Sequence, residues 1–120
     1  KMKKTIAALL VSFGVLSLST NSMAAPKIVT CQIDEQGKTI FKGKCSFNPS
    51  EGGSFYLTNL NKNKPLVRNI MDIGVYIVEP GVAEVSGSLK GANNSRWGHA
   101  IRSTKQKACW VGSDFKVCAW

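Results

Sequence analysis

Between Ala25 and Trp120 the apolar residues come in short runs broken by turn-forming residues. None sustains the 3.6-residue repeat over the roughly 10–12 residues that a helix needs. The pattern predicts eight strands: Ile28–Asp34, Thr39–Phe47, Ser54–Leu60, Ile73–Glu79, Ala83–Leu89, Gly98–Ser103, Cys109–Val111 and Phe115–Ala119. In the fifth, Ala83, Val85, Gly87 and Leu89 alternate with Glu84, Ser86 and Ser88, which gives one core face and one wet face. In the fourth, Ile73, Val75 and Ile77 share a face while Tyr76 and Val78 load the other, so a central strand covered on both sides is expected. Glu79-Pro80-Gly81 is a turn, and Asn48–Gly53, Asn59–Pro65 and Gly91–Ser95 are loops by composition. With no repeat and no linker, the expected architecture is all-β: a single small antiparallel sandwich or barrel over residues 25–120.

The chain begins with Lys3-Lys4, an uncharged apolar run from Thr5 to Leu18, and a polar close at Ser22-Met23-Ala24, the pattern of a secretory signal peptide. The run is shorter than the ~20 residues that cross a bilayer, so residues 1–24 are expected to be an export address removed after Ala24. Ile28-Val29-Thr30 before Cys31 is faintly like a lipid-attachment box, but Pro26 and Lys27 separate it from the apolar run, and no stable membrane anchor is expected. The Met2-Lys3-Lys4-Thr5 opening resembles signal peptides of enteric-type bacteria, which implies a periplasmic or secreted bacterial protein.

All four cysteines, Cys31, Cys45, Cys109 and Cys118, follow the signal segment, and an even count in an exported chain implies two disulfides. Three pairings are possible. Local sequence favours Cys31 with Cys45 around a Gln36-Gly37 turn, and Cys109 with Cys118 across a Gly112-Ser113-Asp114 hairpin. Each closed loop of this size is worth up to ~3 kcal/mol. A metal site fails on spacing, since there is no Cys-x-x-Cys and one histidine; neither a metal nor a cofactor is expected.

Loss of Lys1, Lys3 and Lys4 with the signal leaves 13 Lys and Arg against 7 Asp and Glu, a net charge of +6 that favours acidic partners. Nucleic acid is not among them, because the basic residues cluster in loops rather than interleaving with aromatics on a sheet. Gly37-Lys38-Thr39 imitates the end of a phosphate-binding loop, but Gln32 stands where that motif requires glycine. His99 lies in Arg96-Trp97-Gly98-His99-Ala100-Ile101-Arg102; alternation puts His99 and Ile101 on one face, Ala100 and Arg102 on the other. No nucleophile elbow or flagged carboxylate pair accompanies it, so an enzyme is not expected; a small hydrolase using His99 is an alternative. Trp110 is expected to stack on the neighbouring cystine. Trp97, beside Arg96 in a polar loop, is the candidate exposed anchor. Trp120 either locks the last strand or is displayed.

The stretch Ala108-Cys109-Trp110 through Val117-Cys118-Ala119-Trp120, with Trp97-Gly98-His99-Ala100 and the Cys31 to Cys45 block carrying Gly43 and Ser46-Phe47, resembles a group of small exported proteobacterial proteins without an assigned activity. Proteins of this build include periplasmic immunity proteins and lysozyme inhibitors, although the loop motifs of lysozyme inhibitors are not evident here. The resemblance implies a protein-binding domain that neutralises a peptidoglycan-acting effector or lytic enzyme. Arg96, Trp97, His99 and Arg102 form the expected contact cluster, with Lys62, Lys64 and Arg68 as a charged periphery that speeds encounter. A binder of peptidoglycan or of an anionic envelope polymer is the other class.

Overall fold

The computed structural model describes residues 25–91 and 94–120; the expected signal peptide, residues 1–24, lies outside the described residues. Eight strands follow one another as β1 (Lys27–Glu35), β2 (Lys38–Pro49), β3 (Phe55–Thr58), β4 (Ile70–Glu79), β5 (Val82–Leu89), β6 (Asn94–Arg102), β7 (Cys109–Gly112) and β8 (Phe115–Ala119). Each pairs antiparallel with the next, and β8 returns to β1, closing a barrel. Closure gives every strand a partner on both sides, although residues 38–45 of β2 and 94–99 of β6 extend beyond their pairing with β3 and β7. All eight predicted strands are present.

Local chemistry sets the hairpins. Gln36 and Gly37 both take positive φ, 52° and 79°, the geometry that twists β1 directly into β2. Both disulfides join hairpin partners as expected, Cys31 to Cys45 and Cys109 to Cys118, with Cα separations of 5.9 and 4.0 Å. They differ in direction. Cys31 and Cys45 belong to the buried apolar cluster inside the barrel, whereas Cys109 and Cys118 pair on the outer side of β7 and β8. Trp110, next along β7, therefore turns inward opposite Val117, and its aromatic neighbourhood is the barrel interior rather than the cystine.

Inward residues alternate along every strand: Ile33, Leu57, Ile73, Val75, Val85 and Val117 are fully buried. The outer wall carries charge on β1 (Asp34), β2 (Lys42, Lys44), β4 (Asp72), β5 (Glu84), β6 (Arg96) and β8 (Lys116). Tyr56, Tyr76, Val78, Ile101 and Val111 are also exposed there, so the outer wall mixes charged with apolar side chains. No helix among the described residues is long and apolar enough to cross a membrane.

Three further expectations change. β4 is not covered on both sides: Tyr76 and Val78 face outward at 48% and 57% exposure, because a single closed sheet has one core and nothing covers β4 at these positions. Trp97 is not in a loop, since β6 begins at Asn94. Asn48, expected in a loop, is the buried penultimate residue of β2; its amide donates to the Ser46 and Tyr56 carbonyls, both at 3.1 Å, so burial leaves it satisfied.

Candidate functional site

The two ends of the barrel are built differently. At one end the long β3–β4 connection, residues 59–69, is folded by its asparagines: Asn59 donates to the Pro65 carbonyl at 2.9 Å, and the Asn59 and Asn61 side chains accept from the amides two residues on. This shape turns Leu66 and Val67 into the core at 4% and 9% exposure. Arg68 then reaches Glu35 on β1 at 2.8 Å, and Lys90 N–H donates to Asn69 C=O at 2.9 Å, tying the connection to strands on both sides. Beneath it Trp97 packs edge-on against Phe115, with ring centroids 5.5 Å apart, and its indole donates to Ser95 Oγ at 3.2 Å. This end is sealed.

The other end is open. It collects the first residues of β1, β3, β5 and β7 and the last residues of β2, β4, β6 and β8, as the meander requires. A cavity of about 760 Å³ enters the barrel there. Its walls are apolar: Val29, Phe47, Phe55, Ile77, Trp110 and Ala119, with Trp120 at the rim. Phe47 and Phe55 stack at 4.7 Å between centroids. Gly52 and Gly53, in the 3-10 turn Glu51–Gly53, take positive φ of 67° and 85° and form a lip without side chains.

Three cations ring this mouth: Lys27, Arg102 and Lys107. Arg102 is held in place. Its Nε donates to the Lys107 carbonyl at 2.7 Å, its guanidinium lies 5.5 Å from the Trp110 ring centroid, and its backbone N–H donates to Gly81 C=O at 2.9 Å. Lys107 sits in the β6–β7 connection, which Ser103 Oγ organises by accepting from the amides of Lys105 and Gln106 at 3.2 and 3.0 Å. Lys27 Nζ lies 5.8 Å from the Phe47 centroid. Among the described residues no Asp or Glu side chain lines the cavity; Glu51 and Glu79 stand at the same end outside it.

Both disulfides brace this half of the barrel. Cys31–Cys45 ties β1 to β2, Cys109–Cys118 ties β7 to β8, and β8 pairs with β1, so four contiguous strands on one side of the mouth are cross-linked. Trp120 N–H donates to Thr30 C=O at 2.9 Å, which fixes the last residue against that wall while half of it stays exposed.

The residues singled out from the sequence are dispersed over this frame. Arg102 alone reaches the mouth. Trp97 is half-buried under the sealed end rather than offered to solvent, because a bulge between β5 and β6 carries it inward. Arg96 borders a small hollow beside Glu35 and Asp114 near the same end. His99 faces outward from the middle of β6, 3.3 Å from Glu84 Oε2, and lines neither the mouth nor the two smaller hollows at the sealed end. Lys62 and Lys64 are exposed on the sealing connection, and Arg68 is engaged with Glu35. Lys27, Phe47, Phe55, Lys107 and Trp110 were missed as a group. The signal was available in the strand order, since a meander of alternating direction brings every second strand end to one place.

On the outer wall, burial alone would raise the Asp34 carboxyl, but hydrogen bonds from Gln32 and Thr39, together with Lys116, outweigh it and hold it below its ordinary value. Among the described residues no three His, Cys, Asp or Glu side chains are grouped to hold a metal ion. No protein-family model, curated protein or solved structure matches the chain. The mouth thus brings apolar side chains and three cationic side chains together at one end of the barrel.

Proposed function

We propose that this chain is a binding protein of the bacterial periplasm or exterior that neutralises a peptidoglycan-acting effector or lytic enzyme, by engaging it with the open end of the barrel. The observation that carries the reading is the contrast between the ends: one plugged by Leu66 and Val67, the other an apolar mouth ringed by Lys27, Arg102 and Lys107. A blocking protein needs a preformed surface more than reactive groups, because rigid elements lose less entropy on binding. The two disulfides supply that rigidity on the mouth side, and they suit an oxidising compartment. The net charge of +6 on residues 25–120 favours encounter with an acidic face.

The test is the sacculus-degrading activity of purified cell-wall hydrolases and effectors, measured with and without the protein at equal molarity. Neutralisation should appear as a stoichiometric loss of lysis, weakened when Arg102→Gln and Lys107→Gln are combined. Undiminished lysis by every enzyme tried, together with salt-sensitive retention of the protein on bare sacculi, replaces this reading with binding of an envelope polymer. The cationic rim is the feature that gives the polymer reading its weight.

A further inference from the structure

We infer that the mouth is a site for an amphiphilic anion: an acyl or aryl body ending in a carboxylate or phosphate. The inference shares with the proposed function only the premise that the open end is the recognition surface, and it needs no protein partner. Two independent features specify the two halves of the ligand. The body is specified by the walls, where Val29, Phe47, Phe55, Ile77 and Trp110 offer nothing that a hydrated group would prefer to water. The cavity of about 760 Å³ falls in the ~300–1,000 Å³ range of sites that hold one small ligand. An eight-stranded barrel is wide enough for such an occupant when side chains leave its interior unfilled. Here Leu66 and Val67 close one end, and the cavity lies at the other.

The head is specified by the rim. A ligand entering a barrel plugged at its far end leaves its last atoms at the entrance, and these meet Lys27, Arg102 and Lys107 with no carboxylate side chain among the lining residues. Arg102 is preorganised for this task. Its Nε is used by the Lys107 carbonyl and its plane rests near Trp110, while its two Nη groups make no hydrogen bond to the described residues. A guanidinium fixed in this way presents paired N–H donors to a planar carboxylate or to phosphate oxygens. A cationic head would meet three like charges, and a neutral head would leave them without compensation.

Isothermal titration of protein recovered from the exported fraction tests this with four probes of equal chain length, each below its micelle concentration: decanoate, decyl phosphate, decanol and decyltrimethylammonium. Either anion or both should saturate a single site at least about tenfold more tightly than decanol, with no measurable binding of the cation. The stronger of the two anions names the head group. Combining Arg102→Gln with Lys107→Gln should remove the preference over decanol, and Lys27→Gln, which disturbs less packing, should reduce it. Lys62→Gln with Lys64→Gln, an equal charge change at the sealed end, should leave it intact. Near-ultraviolet circular dichroism checks that each variant is folded. Binding of decanol or of the cation as tight as that of the anions, retention of the preference in the double variant, or no saturable binding of any probe would overturn the inference. Failure here with lysis still blocked leaves the proposed function standing, and success here with lysis unaffected removes that function alone.

Discussion

Replacing the two disulfides pairwise by alanine should cost unequal amounts, although the loops they close are of similar length. The sequence separations are 14 and 9, for which chain entropy gives about 3.0 kcal/mol for Cys31–Cys45 and about 2.7 kcal/mol for Cys109–Cys118. Entropy alone thus separates them by only ~0.3 kcal/mol. Packing separates them further. Cys31 and Cys45 are part of the apolar cluster inside the barrel, so alanine there removes two sulfur atoms from a close-packed core. A void of roughly 40 Å³ at ~24 cal/mol per Å³ adds about 1 kcal/mol, and the lost apolar transfer adds about as much again. Cys109 and Cys118, on the outer side of β7 and β8, are buried as fully, but what covers them is the β6–β7 connection, whose Gln106 approaches Cys109 Sγ at 3.7 Å, and a loop is expected to close over the space that alanine leaves where packed strands do not. The expected totals are ~5 kcal/mol for Cys31→Ala/Cys45→Ala and ~3 kcal/mol for Cys109→Ala/Cys118→Ala. Urea titration of both variants and of the parent protein, with matched slopes, measures the difference. Equal costs, or a larger cost for the Cys109–Cys118 pair, would refute the assignment of one cystine to the core and the other to the wall.

Leu66→Ala should destabilise the barrel by ~2–5 kcal/mol, because the sealing connection plugs the core; a loss under ~1 kcal/mol on chemical denaturation would mean that the end is not sealed by this residue. Trp97→Ala should cost ~3–5 kcal/mol in the same assay while leaving the affinity of the folded fraction for anionic probes unchanged, and a selective loss of affinity would return Trp97 to the binding surface. Arg68→Ala should change stability by less than ~1 kcal/mol, since both Arg68 and Glu35 are largely exposed. Asp34 has a depressed carboxyl pKa, so it contributes stability that is fully present above the unfolded-state value of about 3.9 and is lost as pH falls through the lower folded value. The stability difference between the parent and Asp34→Asn should therefore be constant near neutrality and vanish in strong acid; a difference that grows on acidification would contradict the hydrogen bonds assigned to Gln32 and Thr39.

The strands were legible because each hairpin carries its own punctuation. Gln36-Gly37, Pro80-Gly81 and Gly112-Ser113-Asp114 mark turns from three residues or fewer, and alternation in Ala83–Leu89 sets its buried face without reference to the rest of the chain. The cystine pairing was legible for the same reason, being local to two hairpins. What joins distant segments was not. Leu66 and Val67 follow directly on residues 59–65, whose asparagines and lysines mark a solvated loop, and only the closed barrel shows that two apolar residues there have an opening to fill. Arg96, Trp97, His99 and Arg102 looked like one cluster because they are adjacent in sequence. A strand of nine residues spreads its members from the sealed end to the mouth and across both faces, so adjacency in β6 is distance in space. Lys27 and Lys107 are far apart in sequence and line the same rim for the complementary reason.

Three tryptophans report directly on which end of the barrel recognises its ligand: Trp110 and Trp120 line the mouth, and Trp97 lies under the sealed end. In a two-dimensional nitrogen–proton spectrum of the protein, addition of decanoate should shift the indole signals of Trp110 and Trp120 and leave that of Trp97 in place. Movement of the Trp97 signal, with the other two stationary, would contradict the account.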